Sequence, residues 1–161
     1  MIVLGIDPGT AITGYAFIEK RNQSLCALDY GVIVTTAGED PARRLQIIYR
    51  ELSARIAAFQ PHEAAVEELF FCRNVTTAIA VGQARGVAVL AAANAGLPVA
   101  EYTPLQVKQA VVGYGRASKE QVQFMVKSIL GLREIPKPDD AADAMAVAVC
   151  HIHAVPMRGL G

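Results

Sequence analysis

The sequence has few cysteines, no net charge and no obvious membrane segment. Its three cysteines, Cys26, Cys72 and Cys150, form no CxxC pair, which argues against a disulfide framework or a zinc knuckle. The apolar stretch 86–100 is too short to span a bilayer, and Asp7 interrupts the N-terminal apolar run before a signal peptide is complete. These absences predict a cytoplasmic protein with no membrane partner.

Neither a repeat nor a linker divides the 161 residues, so we expect a single domain over residues 1–161 with a full hydrophobic core. The formal net charge is zero. Between residues 73 and 137, however, eight lysines and arginines stand against three glutamates. Solvated surface explains any one of these cations, whereas their clustering favours a surface that faces phosphates.

The apolar pattern predicts an α/β protein with a mixed sheet and helices on both faces. Residues 13–20 and 24–36 are predicted strands whose short connection indicates an antiparallel hairpin. The other predicted strands are 1–7, 64–70 and 97–101, and the predicted helices begin near residues 41, 75, 104, 119 and 139. Ligands of such sheets bind beyond the carboxyl ends of the strands.

Asp7 stands at one such strand end, after the apolar run MIVLGI and before the turn PGT. A carboxylate in this position is costly to desolvate unless it is paired or binds a metal ion. Glycines nearby, including Gly14, allow a backbone, a phosphate or a hydrated ion to come close. Asp7 is therefore a candidate site residue.

Two further acidic groups are candidates to join Asp7. In the strand AAVEELF, either Glu67 or Glu68 can face Asp7, because successive side chains of a strand point to opposite faces. In the last helix, Asp143 can share an ion with Asp140 or with Asp139, since these spacings lie on one helix face.

Each of these acids also has a structural explanation. One of Asp139 and Asp140 is expected to be an N-cap, and a glutamate in a short strand often lies at a solvated end. Taken together, oxygen-only ligands suit Mg²⁺ or Mn²⁺ rather than zinc. Two such ions about 4 Å apart form a clamp for attack of water on a phosphodiester.

Other features leave alternatives open. Gly82 and Gly86 form a GxxxG pattern that fits either close packing on the sheet or a contact between two copies of the chain. His151 and His153 point about 200° apart on a helix and cannot share an ion. They fit the preference of a helix C-terminus for cations, although one of them could lie near the site.

Six segments in order along the chain resemble the RuvC-type Holliday junction resolvases of bacteria. They are GIDPGTAITGYAFI, VEELFF, GQARGVAV, VKQAVVGYG, SKEQVQFMV and DDAADAMAVAVCHIH. GIDPGT alone would be weak evidence, but the combination covers nearly the whole chain. The resemblance implies a ribonuclease H-like fold and a homodimer that makes paired, symmetric nicks in four-way DNA junctions.

The resemblance also assigns roles to residues. It places the four catalytic and metal-binding carboxylates at Asp7, Glu67, Asp140 and Asp143, with two Mg²⁺ ions per subunit for which Mn²⁺ substitutes. It marks Phe70 as an aromatic side chain that stacks on an unpaired base, and Lys108 and Lys119 as phosphate contacts. The RuvA–RuvB branch-migration complex is the partner that it implies.

Three other functions compete with this one. An actin-like nucleotide-binding fold also has an Asp-x-Gly-Thr loop after its first strand, but it needs a second lobe that this chain is too short to hold. A non-catalytic junction-binding module would keep the carboxylates as vestiges. A RuvC-like nuclease of ribosomal RNA processing would act on RNA instead of junction DNA.

Overall fold

The computed structural model describes residues 1–68 and 74–155. In this part of the chain, five strands form one sheet in the order β3-β2-β1-β4-β5. They are β1 (Ile2–Asp7), β2 (Ile12–Arg21), β3 (Ser24–Val34), β4 (Glu63–Glu67) and β5 (Val99–Tyr102). β2 is antiparallel to both β1 and β3, whereas β4 is parallel to both β1 and β5. The predicted mixed sheet and hairpin are confirmed, although β4 ends at Glu67 rather than at residue 70.

Five helices accompany the sheet in the same described ranges. They are α1 (Pro41–Phe59), α2 (Val75–Asn94), α3 (Pro104–Val112), α4 (Lys119–Ile129) and α5 (Asp139–Ala154). Thr103 and Ser118 each form a capping box, as their sequence contexts favour. The expected N-cap role of Asp139 or Asp140 is wrong. Pro138 occupies the cap position of α5, and no side-chain hydrogen bond caps this helix.

The helices cover both faces of the sheet, as predicted. On one face, α1 and α2 pack against the sheet around buried residues that include Ile48 and Leu52. On the other face, α3, α4 and α5 enclose a second core that includes Met145 and Val126. Alternate residues of the strands supply the two cores, so one sheet separates the two helical layers.

Two glycines let α5 approach the sheet closely. A Cβ atom at Gly5 would lie 2.0 Å from the carbonyl oxygen of Ala144, and one at Gly14 would lie 2.0 Å from that of Asp140. Gly14 is paired with Asp7 across β1 and β2. The missing side chain at Gly14 therefore allows the first turn of α5 to lie beside the carboxyl end of β1.

Helix α2 presents an apolar face to solvent. Val75, Ile79 and Leu90 are 72%, 57% and 50% exposed, and a Cβ atom at Gly86 would meet nothing within 4 Å. By length and composition alone, α2 is the one helix of the described residues that could cross a membrane. The open space at Gly86 means that this glycine serves no close packing on the sheet.

Candidate active site

Three elements bring acidic side chains together at one edge of the sheet. Asp7 and Glu67 directly follow Ile6 and Val66, which are paired in the parallel ladder of β1 and β4. Asp140 and Asp143 lie in the first turns of α5. One carboxylate oxygen from each of Asp7, Asp140 and Asp143 lies within 4.8 Å of the others. Glu67 completes the group because it lines the same cleft as Asp143.

The two choices that sequence patterns left open have a geometric answer. Glu67 is half-buried and lines the cleft, whereas Glu68 is exposed. Asp140 belongs to the cluster with Asp7. Asp139 is exposed and turns instead to Lys119, whose Nζ lies 3.1 Å from its carboxylate.

The loop after Asp7 is fixed by hydroxyl groups. The buried Thr13 hydroxyl donates a hydrogen bond to the Gly9 carbonyl at 2.6 Å. Thr35 donates to the Thr10 carbonyl at 2.6 Å and accepts from the Arg44 guanidinium at 2.8 Å. These bonds tie the loop to β2 and α1, so the position of Asp7 does not depend on β1 alone.

Burial and, after it, neighbouring charge raise the pKa values of Asp7, Glu67 and Asp143. Burial, followed by the charges of Asp143, Asp140 and Glu67, raises the pKa of Asp7 from 3.8 to about 8. Burial is also the largest cause that raises the pKa of Asp143 and of Glu67. The cluster thus resists holding its full negative charge without a cation.

Two lysines border the carboxylates in an open cleft of about 270 Å³. Lys108 and Lys119 line the cleft together with Glu67 and Asp143. The hydrogen bond to Asp139 raises the pKa of Lys119, and the Nζ of Lys119 also lies 3.9 Å from Asp143. The cleft therefore holds carboxylates and cations side by side.

The donor set fits a hard divalent cation. The clustered atoms are carboxylate oxygens, and no histidine or cysteine joins them in the described residues. Mg²⁺ and Mn²⁺ prefer oxygen ligands, whereas zinc sites are usually built with histidine or cysteine. A bound dication would also offset the repulsion that raises the pKa of Asp7.

Some contacts that support the site were not predicted from the sequence. Asp139 holds Lys119, and its second oxygen accepts a hydrogen bond from Gln123 at 3.1 Å. The Thr35–Arg44 bond supports the Asp7 loop from α1. No sequence pattern indicates these contacts, because they follow from the packing of α4 on α5 and from the position of α1 beside the loop.

The remaining sequence candidates lie elsewhere. His151 is buried at the other end of α5, with Nε2 2.5 Å from the Glu63 carboxylate and Nδ1 2.7 Å from the Tyr102 hydroxyl. His153 contacts the Ala110 carbonyl at 3.2 Å. Neither histidine is at the acidic cluster. Phe70 lies outside the described residues.

Comparison with known proteins identifies the family. The family model described as Crossover junction endodeoxyribonuclease RuvC matches residues 3–151. The chain belongs to the RuvC family. It is 63% identical over 155 residues to Crossover junction endodeoxyribonuclease RuvC of Desulfitobacterium hafniense, which covers 96% of this chain and 94% of the relative. The RuvC of Moorella thermoacetica is 63% identical over 158 residues, with 98% and 95% of the two chains covered.

A solved RuvC structure has the same fold. The structure of Thermus thermophilus RuvC in complex with Holliday junction substrate superposes with a TM-score of 0.91 at 40% identity, covering 95% of this chain and 93% of that one. The fold is therefore ribonuclease H-like, as the sequence resemblance predicted. Membership of the RuvC family does not favour the actin-like alternative.

Proposed function

We propose that this protein is a structure-selective endonuclease that resolves four-way DNA junctions. The observation that carries the proposal is the cluster of Asp7, Asp140 and Asp143, with Glu67 beside it, in a chain of the RuvC family. Relatives that match nearly the full chain carry the name crossover junction endodeoxyribonuclease. The junction-bound RuvC structure supports four-way DNA as the substrate.

The four carboxylates Asp7, Glu67, Asp140 and Asp143 would hold Mg²⁺, with two ions per subunit and Mn²⁺ as a substitute. Bound divalent ions supply an acidified water and neutralise charge on the phosphate under attack. The chain itself orients that chemistry: β1 and β4 fix two carboxylates, and α5 fixes the other two. Hydrolysis in this way leaves 5′-phosphate and 3′-hydroxyl ends.

The DNA contacts that we propose surround the carboxylates. Lys108 and Lys119 would bind phosphates, and their position in the lining of the carboxylate cleft supports this role. Phe70 would stack on an unpaired base near the junction centre, which requires an exposed aromatic face. The proposal for Phe70 comes from the motif VEELFF, because its position lies outside the described residues.

A homodimer would make the two symmetric nicks. The exposed apolar face of α2, formed by Val75, Ile79, Gly86 and Leu90, supports a contact between two copies of the chain.

Sedimentation equilibrium tests this contact. We expect Ile79→Glu to shift the equilibrium toward the monomer, because a charge would be buried in the contact. Glu120→Gln, which changes an exposed charge on α4 across the sheet from α2, is the control. An unchanged monomer–dimer equilibrium in Ile79→Glu would place the contact elsewhere.

Three broader features belong to the same proposal. The whole chain, residues 1–161, would form one domain, since a single sheet separates both cores. It would work in the cytoplasm, where bacterial chromosomal DNA is found. The RuvA–RuvB branch-migration complex would deliver the junction, as the family membership suggests.

The decisive experiment compares Asp7→Asn with Glu68→Gln on a synthetic mobile four-way junction. Asp7→Asn should abolish paired nicking in Mg²⁺ while it retains junction binding, because the fold and the lysines persist. Glu68→Gln changes an exposed neighbouring carboxylate and should nick normally. Normal cleavage by Asp7→Asn would exclude Asp7 as a ligand of the catalytic metal. If the native protein nicks RNA but not junction DNA, it is a different kind of nuclease.

A further inference from the structure

A second basic surface lies at the far end of α4 from the carboxylates. Lys127, Arg133 and Lys137 line an open groove of about 950 Å³ together with Tyr30 of β3. We call this surface the basic groove. Glu134 is the one acidic residue in its lining. Three cations against one carboxylate give it a positive charge in a chain of zero net charge.

The cations of the basic groove are available to an external anion. Among residues 1–68 and 74–155, none of Lys127, Arg133 and Lys137 forms an ion pair within 4.0 Å. Lys119, in contrast, is paired with Asp139. Like charges that share a groove without carboxylate partners repel one another, so binding a polyanion there relieves repulsion.

A row of polar side chains on α4 leads from the carboxylate cleft to the basic groove. Lys119, Gln123 and Lys127 are spaced four residues apart on α4 and lie along one helix face. The first two of them contact Asp139 at the start of α5, and Lys137 lies two residues before Asp139. The helical rise places Lys127 about 12 Å from Lys119 along the axis.

This spacing fits a DNA backbone better than a small anion. One strand of duplex DNA advances about 3.4 Å per phosphate, so 12 Å corresponds to roughly three or four steps. A lone phosphate would engage one point of such an array, whereas a duplex follows it from end to end. The hydroxyl of Tyr30, a side chain that is 39% exposed, adds a neutral donor of the kind that contacts phosphate oxygens.

We propose that the basic groove binds the sugar–phosphate backbone of the duplex arm that leaves the carboxylate cleft. The inference rests on the proposed function and adds a second contact to it, three or four nucleotides away from the scissile phosphate. The arm would lie along α4, with Lys119 at the cleft and Lys127, Arg133 and Lys137 farther out. The groove thereby fixes the direction in which the arm runs.

The test measures the salt dependence of junction binding without divalent ions, using Lys127→Gln/Arg133→Gln. Each lost phosphate contact should reduce the slope of log affinity against log salt by about one, so the double variant should lose about two. Its affinity should fall about tenfold or more at moderate salt. Arg43→Gln/Arg50→Gln removes the same charge from exposed sites on α1, across the sheet, and should leave the slope unchanged.

Neutral DNA linkages locate the contact. Methylphosphonates placed three to five steps from the scissile phosphate should weaken binding by the native protein but add little to the loss in the double variant, because both changes remove the same contact. Equal losses in both proteins, or a salt slope in the double variant equal to the native one, would overturn the proposal.

Two further readouts keep the outcome decisive. Circular dichroism melting checks that the double variant is folded. If it is not, Lys127→Gln alone takes its place and should reduce the salt slope by about one. If the native protein neither prefers nor nicks a four-way junction, the proposed function fails. The basic groove is then tested by measuring the same salt slope on linear duplex DNA. A slope in the double variant equal to that of the native protein would refute the groove independently of the proposed function.

Discussion

The two ends of α5 bury charged groups in opposite ways. At the C-terminal end, His151 lies between the Glu63 carboxylate and the Tyr102 hydroxyl, at 2.5 and 2.7 Å. One tautomer satisfies both contacts, with Nε2 donating to Glu63 and the Tyr102 hydroxyl donating to Nδ1. At the N-terminal end, Asp140 and Asp143 face Asp7 with like charge.

The two ends differ in whether the chain itself compensates the buried polar groups. The His151 network is complete within the chain, so its polar atoms are satisfied without any ligand. The acidic cluster is incomplete, as the raised pKa of Asp7 indicates, and requires protons or a cation. Buried charge that the fold leaves uncompensated is typical of a functional site, and variants at the two ends of α5 should therefore respond differently.

The largest effect is expected from Gly14→Ala, which disturbs only the N-terminal end of α5. Its methyl group would meet the Asp140 carbonyl, so the first turn of α5 must move away from Asp7. Displacement of a catalytic group by about 1 Å can cost about 100-fold in rate, and we expect a loss of that size in junction nicking. Single-turnover cleavage by saturating enzyme measures it. Native cleavage rates in this variant would mean that the approach of α5 at Gly14 does not position the site.

A smaller effect, on stability, is expected at the other end. His151→Ala leaves the Glu63 and Tyr102 side chains without their partner and should lower the free energy of unfolding by about 2 kcal/mol. His153→Ala, two residues away and exposed, removes a single contact to Ala110 and is the matched control. Urea denaturation of both variants measures the difference. Equal stabilities of the two variants would show that the buried His151 network does not stabilise the fold.

The last prediction concerns the pH dependence of the stability of the metal-free protein. In the metal-free protein, the pKa of Asp7 is raised from 3.8 to about 8, so the folded state binds its proton more tightly than the unfolded state. The resulting stabilisation is present below pH 4 and is lost as the pH rises through about 8. We expect the melting temperature of the metal-free native protein to fall over this range, and Asp7→Asn to reduce the slope.

Magnesium provides the control for that experiment. At pH 8, Mg²⁺ should raise the melting temperature of the native protein, because a ligand that binds the folded state stabilises it. It should raise that of Asp7→Asn much less. An identical pH slope in the native protein and in Asp7→Asn would show that Asp7 does not carry the uncompensated charge.

Local signals predicted most of the fold. Asp40 and Pro41 begin α1, the capping boxes at Thr103 and Ser118 begin α3 and α4, and the apolar periods distinguish strands from helices. The prediction failed at α5, where an aspartate after proline suggested a cap. Asp139 instead contacts Lys119 and Gln123 of α4. These tertiary contacts outweigh the local preference of aspartate for the N-cap position.

The sequence by itself determined the element order, the position of Asp7 at a strand end and the membership of a nuclease family, because each depends on neighbouring residues or on motifs. Spacing left open which acids meet, and the family resemblance named them, but only the tertiary structure gives the physical reason. Glu67 faces the cleft because β4 pairs with β1 in one register, and Asp140 reaches Asp7 because Gly14 lets α5 come close. Such contacts join residues that lie 60 to 133 positions apart in the sequence, and their distances follow from packing, which no local pattern encodes.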